Sequence, residues 1–339
     1  MNDENVQVRL ASRPAGRPTP GNFAFTREPL PVPRDGQVLI RTRYLSLDPY
    51  MRGRMSDAPS YAPPVEVGGV MVGGTIGEVV ESKSPGLAPG DAVLAYSGWQ
   101  KYDVARASLV RKLDQDSGVP LTTALGVLGM PGFTAYAGLT QIGQPKAGET
   151  VVVAAASGPV GATVGQLAKI FGARAVGIAG GQRKVDYVRS LGFDAAVDHR
   201  SPTFSEDLAA ATPDGIDVYF ENVGGHVWDA VLPRLNQFGR VPLCGLVASY
   251  NATSLPEGPD RTPLLLTAIL KKSLTVKGFI VTDYTASLEP EFLRRAAPWV
   301  REGRLRCRED VVDGLENAPG AFIGMLDGQN FGKLLVRVS

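Results

Sequence analysis

The sequence predicts an α/β fold in two domains: a doubly wound parallel sheet and a second, smaller β-rich domain. Three observations carry this. At 339 residues the chain exceeds what one typical core fills, so two domains are expected. From about Thr122 onward, strand candidates alternate with helical stretches, a pattern that calls for a parallel sheet covered on both faces. The run Val151–Ala156, apolar and β-branched enough to be buried on both sides, leads into a glycine turn and a helix.

Residues 1–125 form the first expected domain. Short strands fall near Val6–Leu10, Gln37–Ser46, Gly73–Glu81 and Ala92–Ala95, separated by Gly, Pro and Asp. Pro14, Pro18 and Pro20 make the early connection an extended wrap rather than a helix. Residues 126–309 form the second. Leu125–Ile142 reads as helical at its edges and interrupted by Met130-Pro131-Gly132. Strand candidates follow at Thr150–Ala155, Arg174–Ala179, Ala195–Asp198, Asp217–Glu221, Arg240–Cys244 and Leu274–Ile280. The fifth is the least secure, because Pro242 removes a ladder donor. Lys333–Val338 is again strand-like, so residues 310–339 are expected to complete the first domain.

The composition excludes several function classes. With 44% apolar and 20% charged residues and a net charge of +1, the chain offers no basic track for nucleic acid. No apolar run approaches the roughly 18 residues of a membrane span. The polar, acidic start MNDENVQVRL is neither a signal nor a transit peptide, and a cytoplasmic location is the expectation. Two cysteines, Cys244 and Cys307, and two histidines, His199 and His226, preclude a disulfide framework and provide no metal-ligand spacing, so no metal is expected. Cys244 reads as a small buried hydrophobe, and His226 as a capping or packing residue at the start of a helix.

The chemistry begins at Ala156-Ser157-Gly158-Pro159-Val160-Gly161, a variant of the dinucleotide fingerprint with alanine at the first glycine position. Gly158 lets the backbone approach a pyrophosphate, and Gly161 lets the helix pack closely on the strand. The helix expected from about Ala162 to Phe171 points its free N–H groups at the phosphates. After the second strand, NAD sites carry Asp or Glu for the ribose 2′-hydroxyl, whereas this chain has Gly180-Gly181-Gln182-Arg183-Lys184. The missing carboxylate favours NADP, with Arg183 and Lys184 either pairing with its 2′-phosphate or merely solvated.

Ligands of such folds bind beyond the carboxyl ends of the strands. The loops there contain Glu221-Asn222-Val223-Gly224-Gly225, Cys244-Gly245 through Tyr250-Asn251, and Phe279-Ile280 through Tyr284. Asn222 suits a nicotinamide carboxamide or ribose, or else makes an Asx turn.

Six stretches in order resemble the zinc-independent medium-chain dehydrogenase/reductase superfamily, and within it the prostaglandin, leukotriene and curcumin reductase group. They are Leu45–Arg52, Gly129–Tyr136, Ala155–Gly161, Glu221–Gly225, Gly278–Ile280 and Asn330–Lys333. The resemblance implies a GroES-like domain, a Rossmann domain, NADPH, commonly a homodimer, and reduction of the carbon–carbon double bond of an α,β-unsaturated ketone or aldehyde. It further implies that Lys184 meets the 2′-phosphate and that Asn222 and Asn330 serve the cofactor. Ser157, Gly158, Pro159, Val160, Gly161, Gly181, Cys244, Gly245, Phe279 and Ile280 complete the expected cofactor contacts, together with Tyr250. The family's phosphate-site tyrosine is replaced in Asp198-His199-Arg200, where His199 or Arg200 substitutes.

Reducing an enone leaves an enolate, which needs a hydrogen-bond donor and no metal. Tyr250 is the first candidate for holding the carbonyl oxygen, with the cofactor ribose hydroxyl as a partner, and Tyr50 the second. A quinone reductase of the same superfamily and a non-catalytic nucleotide-binding protein are the alternatives.

Overall fold

The computed structural model describes residues 4–339, which divide into two compact units. One comprises the residues up to Leu125 together with Glu309–Ser339, the other Gly126–Arg308.

In the first unit, β1 (Glu4–Leu10) pairs antiparallel with β2 (Phe23–Pro29). β2 has no counterpart among the expected strands. Only Phe23 of its residues is buried, so its strand state comes from pairing with β1 rather than from an apolar alternation. β3 (Gln37–Ser46), β4 (Thr75–Ser82), β5 (Ala92–Ala95), β6 (Tyr102–Arg106) and β7 (Arg111–Lys112) build an antiparallel sheet, with the short helix α1 (Met51–Arg54) after β3. Phe23 stacks on Trp99 at 5.6 Å between centroids, and Phe322 meets Trp99 edge-on at 5.7 Å, anchoring the core of this unit.

The second unit opens with α2 (Met130–Gly138). Met130-Pro131-Gly132 therefore starts a helix instead of interrupting one. Pro131 sits in the first turn, where its missing N–H costs nothing, and Gly132 packs so tightly against the Val127 carbonyl that a side chain would collide with it. The elements then alternate: β8 (Thr150–Val153), α3 (Pro159–Ile170), β9 (Arg174–Ala179), α4 (Gln182–Ser190), β10 (Ala195–Asp198), α5 (Phe204–Ala211), β11 (Ile216–Phe220), α6 (Gly225–Val231), β12 (Leu235–Leu243), α7 (Thr262–Lys272), β13 (Thr275–Gly278) and α8 (Thr285–Arg301). α3 begins at Pro159 rather than Ala162, again with proline in the first turn. β12 runs through Pro242, whose carbonyl accepts from the Glu221 N–H at 3.0 Å and keeps the strand joined to β11.

All pairings in this sheet are parallel, in the order β10-β9-β8-β11-β12-β13. The chain winds outward from β8 to β10, then crosses back to β11 and winds the other way. The switch point lies between β8 and β11, where open α/β sheets bind ligands at the carboxyl ends of their strands.

The chain completes the first unit with β14 (Glu309–Asp313), α9 (Ala318–Leu326) and β15 (Lys333–Arg337). β15 lies between β14 and β3, opposing Ser46 with Leu335.

Candidate active site

The glycine turn leaves β8 at the switch point. Ala155 adopts a left-handed φ of 51°, a conformation that costs a non-glycine residue of order 1 kcal/mol or more. Ala156, Ser157 and Gly158 then lead into α3. A Cβ on Gly161 would come 2.5 Å from the Ala155 carbonyl oxygen and 2.8 Å from the Ala156 Cα, so only glycine lets α3 approach β8 this closely. Pro159, Val160 and Gly161 form the first turn of this twelve-residue helix, with no acidic side chain among them to repel an anion.

Across the switch point, the Asn222 amide Nδ2 donates to the Ala154 carbonyl oxygen at 2.9 Å and ties the end of β11 to the end of β8. The Gly224 N–H, which an Asx turn of Asn222 would engage through Oδ1, goes to Glu221. The turn after β11 is held instead by Glu221, whose role the sequence reading missed. Its Oε1 accepts from the N–H groups of Val223 at 2.6 Å and Gly224 at 3.0 Å and from the Tyr219 hydroxyl at 3.0 Å. Burial pushes the Glu221 carboxyl above its ordinary pKa, and its Oε2 is buried without a hydrogen-bond partner among the described residues. The signal for this role was an acid directly after an apolar strand and before two glycines.

β12 delivers Cys244 and Gly245. Burial, reinforced by Glu221, raises the Cys244 thiol to about 12, so it stays protonated and is no nucleophile. The Tyr250 hydroxyl lies over Gly245, 3.1 Å from where a Cβ would stand. Phe279 is buried and packs edge-on against Phe220 at 6.1 Å, with Ile280 following it beyond β13.

The outer edge of the turn region holds a cluster of cations. β9 ends at Ala179 beside Asp198, and the His199 N–H continues the ladder to the Ala179 carbonyl at 3.0 Å. This brings the side chains of His199 and Arg200 over Gly180: a Cβ there would stand 2.8 Å from His199 Nε2 and 2.9 Å from Arg200 Nε. Gly181, at φ 87°, caps α4, whose first turn contains Arg183 and Lys184 and no acid. Lys184 is near enough to His199 to disfavour its protonation. Asp198 does not oppose this cluster freely, since its Oδ1 accepts from the N–H groups of both Gly181 and Arg200 at 2.9 Å. His226 is more than the cap or packing residue expected: its Nε2 lies 3.1 Å from His199 Nδ1.

Tyr50 and Asn330 belong to the other unit. Tyr50 precedes α1, and burial, reinforced by Asp48, raises its phenol far above the ordinary range, so it remains a donor. The Asn330 Nδ2 donates to the Gly332 carbonyl at 3.0 Å. Among the described residues, no three His, Cys, Asp or Glu side chains come together as metal ligands, and no helix is long and apolar enough to cross a membrane.

Two family models match the chain: an N-terminal domain of oxidoreductases over residues 6–113 and a zinc-binding dehydrogenase domain over residues 159–298. An NADPH-dependent curcumin reductase of Escherichia coli (strain K12) is 57% identical over 331 residues, 97% of this chain and 96% of its own. The chain belongs to the zinc-independent medium-chain dehydrogenase/reductase family. Among other members, prostaglandin reductase 1 of Oryctolagus cuniculus is 41% identical, the match covering 94% of this chain and 89% of that protein. The crystal structure of CurA from Vibrio vulnificus in complex with NADPH is 51% identical, with a TM-score of 0.94 and coverage of 98% and 99% of the two chains. The two units of this chain are thus the GroES-like and Rossmann domains of the family.

Proposed function

We propose that the protein reduces the carbon–carbon double bond of α,β-unsaturated ketones and aldehydes with NADPH. The observation that carries the reading is full-length identity above half to an NADPH-dependent curcumin reductase. The residues fit the cofactor independently of that likeness. Gly161 clears the way for α3, the first turn of α3 offers N–H groups to a pyrophosphate, and the cations Lys184 and Arg200 gather around His199 to suit a 2′-phosphate. Asn222, Cys244, Gly245, Phe279 and Ile280 would flank the nicotinamide end, and Asn330 is a further cofactor residue.

When bound, NADPH supplies the hydride for the β carbon. The chain's own task is to hold the carbonyl oxygen as its charge grows. Tyr250 donates to that oxygen; Tyr50, kept protonated by burial, is the alternative donor. Purified protein with NADPH should turn over an enone and enal series. Turnover confined to quinones would replace this reading by the quinone-reductase one, and no oxidation of NADPH with any electrophile would leave a binding protein.

A homodimer in the cytoplasm completes the reading. β13 is one of the two edge strands of the six-stranded sheet, and the neighbouring α7 exposes Leu264, Leu266 and Leu270. An exposed edge with apolar flanks is what a second copy would cover. A light-scattering mass of twice 35.9 kDa is expected; a monomer mass would dismiss the dimer.

A further inference from the structure

We propose that His226 is a positioning residue for NADP selectivity: it orients His199 so that the Nε2–H of His199 faces the 2′-phosphate, even when both histidines are neutral. This rests on the NADP reading above and gives a site role to a residue expected to cap or pack.

The geometry fixes the roles of the four ring nitrogens. His226 Nε2 has two neighbours on His199, the Nδ1 at 3.1 Å and the backbone carbonyl oxygen at 3.2 Å. A carbonyl can only accept, so His226 Nε2 carries the proton. His199 Nδ1 is then the acceptor, and in the neutral ring its proton sits on Nε2. That nitrogen is the one turned over Gly180, beside the Arg200 guanidinium. The pairing locks both the rotation of the His199 ring and its tautomer. Phe204 supports His226 from behind, edge-on at 6.1 Å.

The groups facing His199 are His226 from α6, Arg200 and Asp198 from its own segment and Lys184 from α4. Burial, then His226 and Arg200, hold the His199 imidazole below its ordinary pKa of 6.5, so it is neutral at pH 8. A neutral ring needs orientation to donate. A protonated ring carries N–H on both nitrogens and is drawn to an anion whichever way it turns. The contribution of His226 should therefore be largest at alkaline pH and fade as pH falls.

The test compares wild type, His226→Leu and His226→Gln by calorimetric titration with NADP⁺ and NAD⁺ between about pH 4.5 and 8.5, spanning the region below 6.5 where His199 protonates. Glutamine keeps an N–H that can reach the His199 carbonyl and Nδ1. At pH 8, His226→Leu should weaken NADP⁺ binding about fivefold, the worth of one ordinary hydrogen bond, and leave NAD⁺ binding unchanged. The deficit should shrink as pH falls below 6.5 and His199 protonates, and His226→Gln should restore most of it. Because the chain has two histidines, ¹⁵N spectra of the imidazoles give an independent readout: wild-type His199 should be protonated at Nε2 at pH 8, and His226→Leu should show mixed tautomers. A deficit shared by NAD⁺, a deficit independent of pH, no deficit, or a His199 protonated at Nδ1 in wild type would overturn the proposal. Equal affinity of wild type for NADP⁺ and NAD⁺ would instead overturn the cofactor reading beneath it.

Discussion

Lys333 Nζ lies 2.8 Å from Asp48 Oδ1, with both side chains almost entirely buried. The same ammonium donates to the Leu47 carbonyl at 2.9 Å, and the Ser46 hydroxyl donates to the other Asp48 oxygen. The first residue of β15 thereby holds the loop that carries Tyr50, and the strand that follows Asn330 is joined to the turn that precedes α1. A buried pair of this kind is valued less for its net energy than for what its loss leaves behind.

Lys333→Met should therefore cost about 3–5 kcal/mol of folding stability, because Asp48 is left charged and buried. Lys333→Met combined with Asp48→Asn should recover part of that loss. Urea unfolding of the two single variants and the double variant measures the coupling directly, and additive losses would contradict it.

Tyr250→Phe should lower kcat on an enone about 100-fold if its hydroxyl holds the developing oxyanion, with NADPH binding little changed. Tyr50→Phe should cost less. Since burial and Asp48 raise the Tyr50 phenol above its ordinary value of 10.0, Tyr50 should add no alkaline limb to the rate profile below that pH. Steady-state kinetics across the alkaline range decides both points.

Lys184→Ala and Arg200→Ala should each weaken NADPH binding about 10-fold, in line with lost charge-assisted hydrogen bonds, and should spare NADH. A fluorescence titration with both nucleotides is sufficient. Equal losses for the two would remove the phosphate assignment.

Gly161→Ala should destabilise by about 1–3 kcal/mol, since its Cβ would stand 2.5 Å from the Ala155 oxygen and must push α3 off β8. NADPH affinity should fall with it. Gly320, in α9, faces open space, with nothing within 4 Å of where a Cβ would stand. Gly320→Ala is therefore the tolerated control, read by thermal unfolding.

Glu221 gives a pH dependence with a definite sign. Its folded pKa is raised above the ordinary 4.5, chiefly by burial, so the folded state holds the proton more tightly than the unfolded state. Stability associated with this group is therefore full below pH 4.5 and is lost as pH rises through the folded pKa. Relative to wild type, Glu221→Gln should gain stability over that interval and reach a constant difference above it. Denaturation at a series of pH values would reveal the trend, and a difference that does not change with pH would refute it.

The parallel sheet was legible because β8 to β11 are short, largely apolar runs spaced by helices. Proline was misread in the same sequence. Pro131 and Pro159 belong to first turns of helices, and placing them there requires knowing that Met130 and Pro159 themselves are helical. β2 left little trace because its partner β1, rather than its own pattern, makes it a strand. Motifs also revealed the positions of candidate site residues better than their partners. His199 was visible as a departure from the family pattern, but nothing local links it to His226, which stands 27 residues away. Asp48 and Lys333 are 285 residues apart, and only the fold brings them into contact.

The pairing of β15 with β3 has a consequence for how the protein is made. Leu335 opposes Ser46, so the sheet built on β3 lacks a member until synthesis has reached Lys333–Arg337. Gly126–Arg308, by contrast, is contiguous and entirely translated before that point. Domains generally fold in the order they emerge, but here β3 must wait for β15, and Asp48 for its partner Lys333. Loss of β15 alone would therefore strike the sheet built on β3, far back in the sequence, and leave Gly126–Arg308 as the unit with all its own strands.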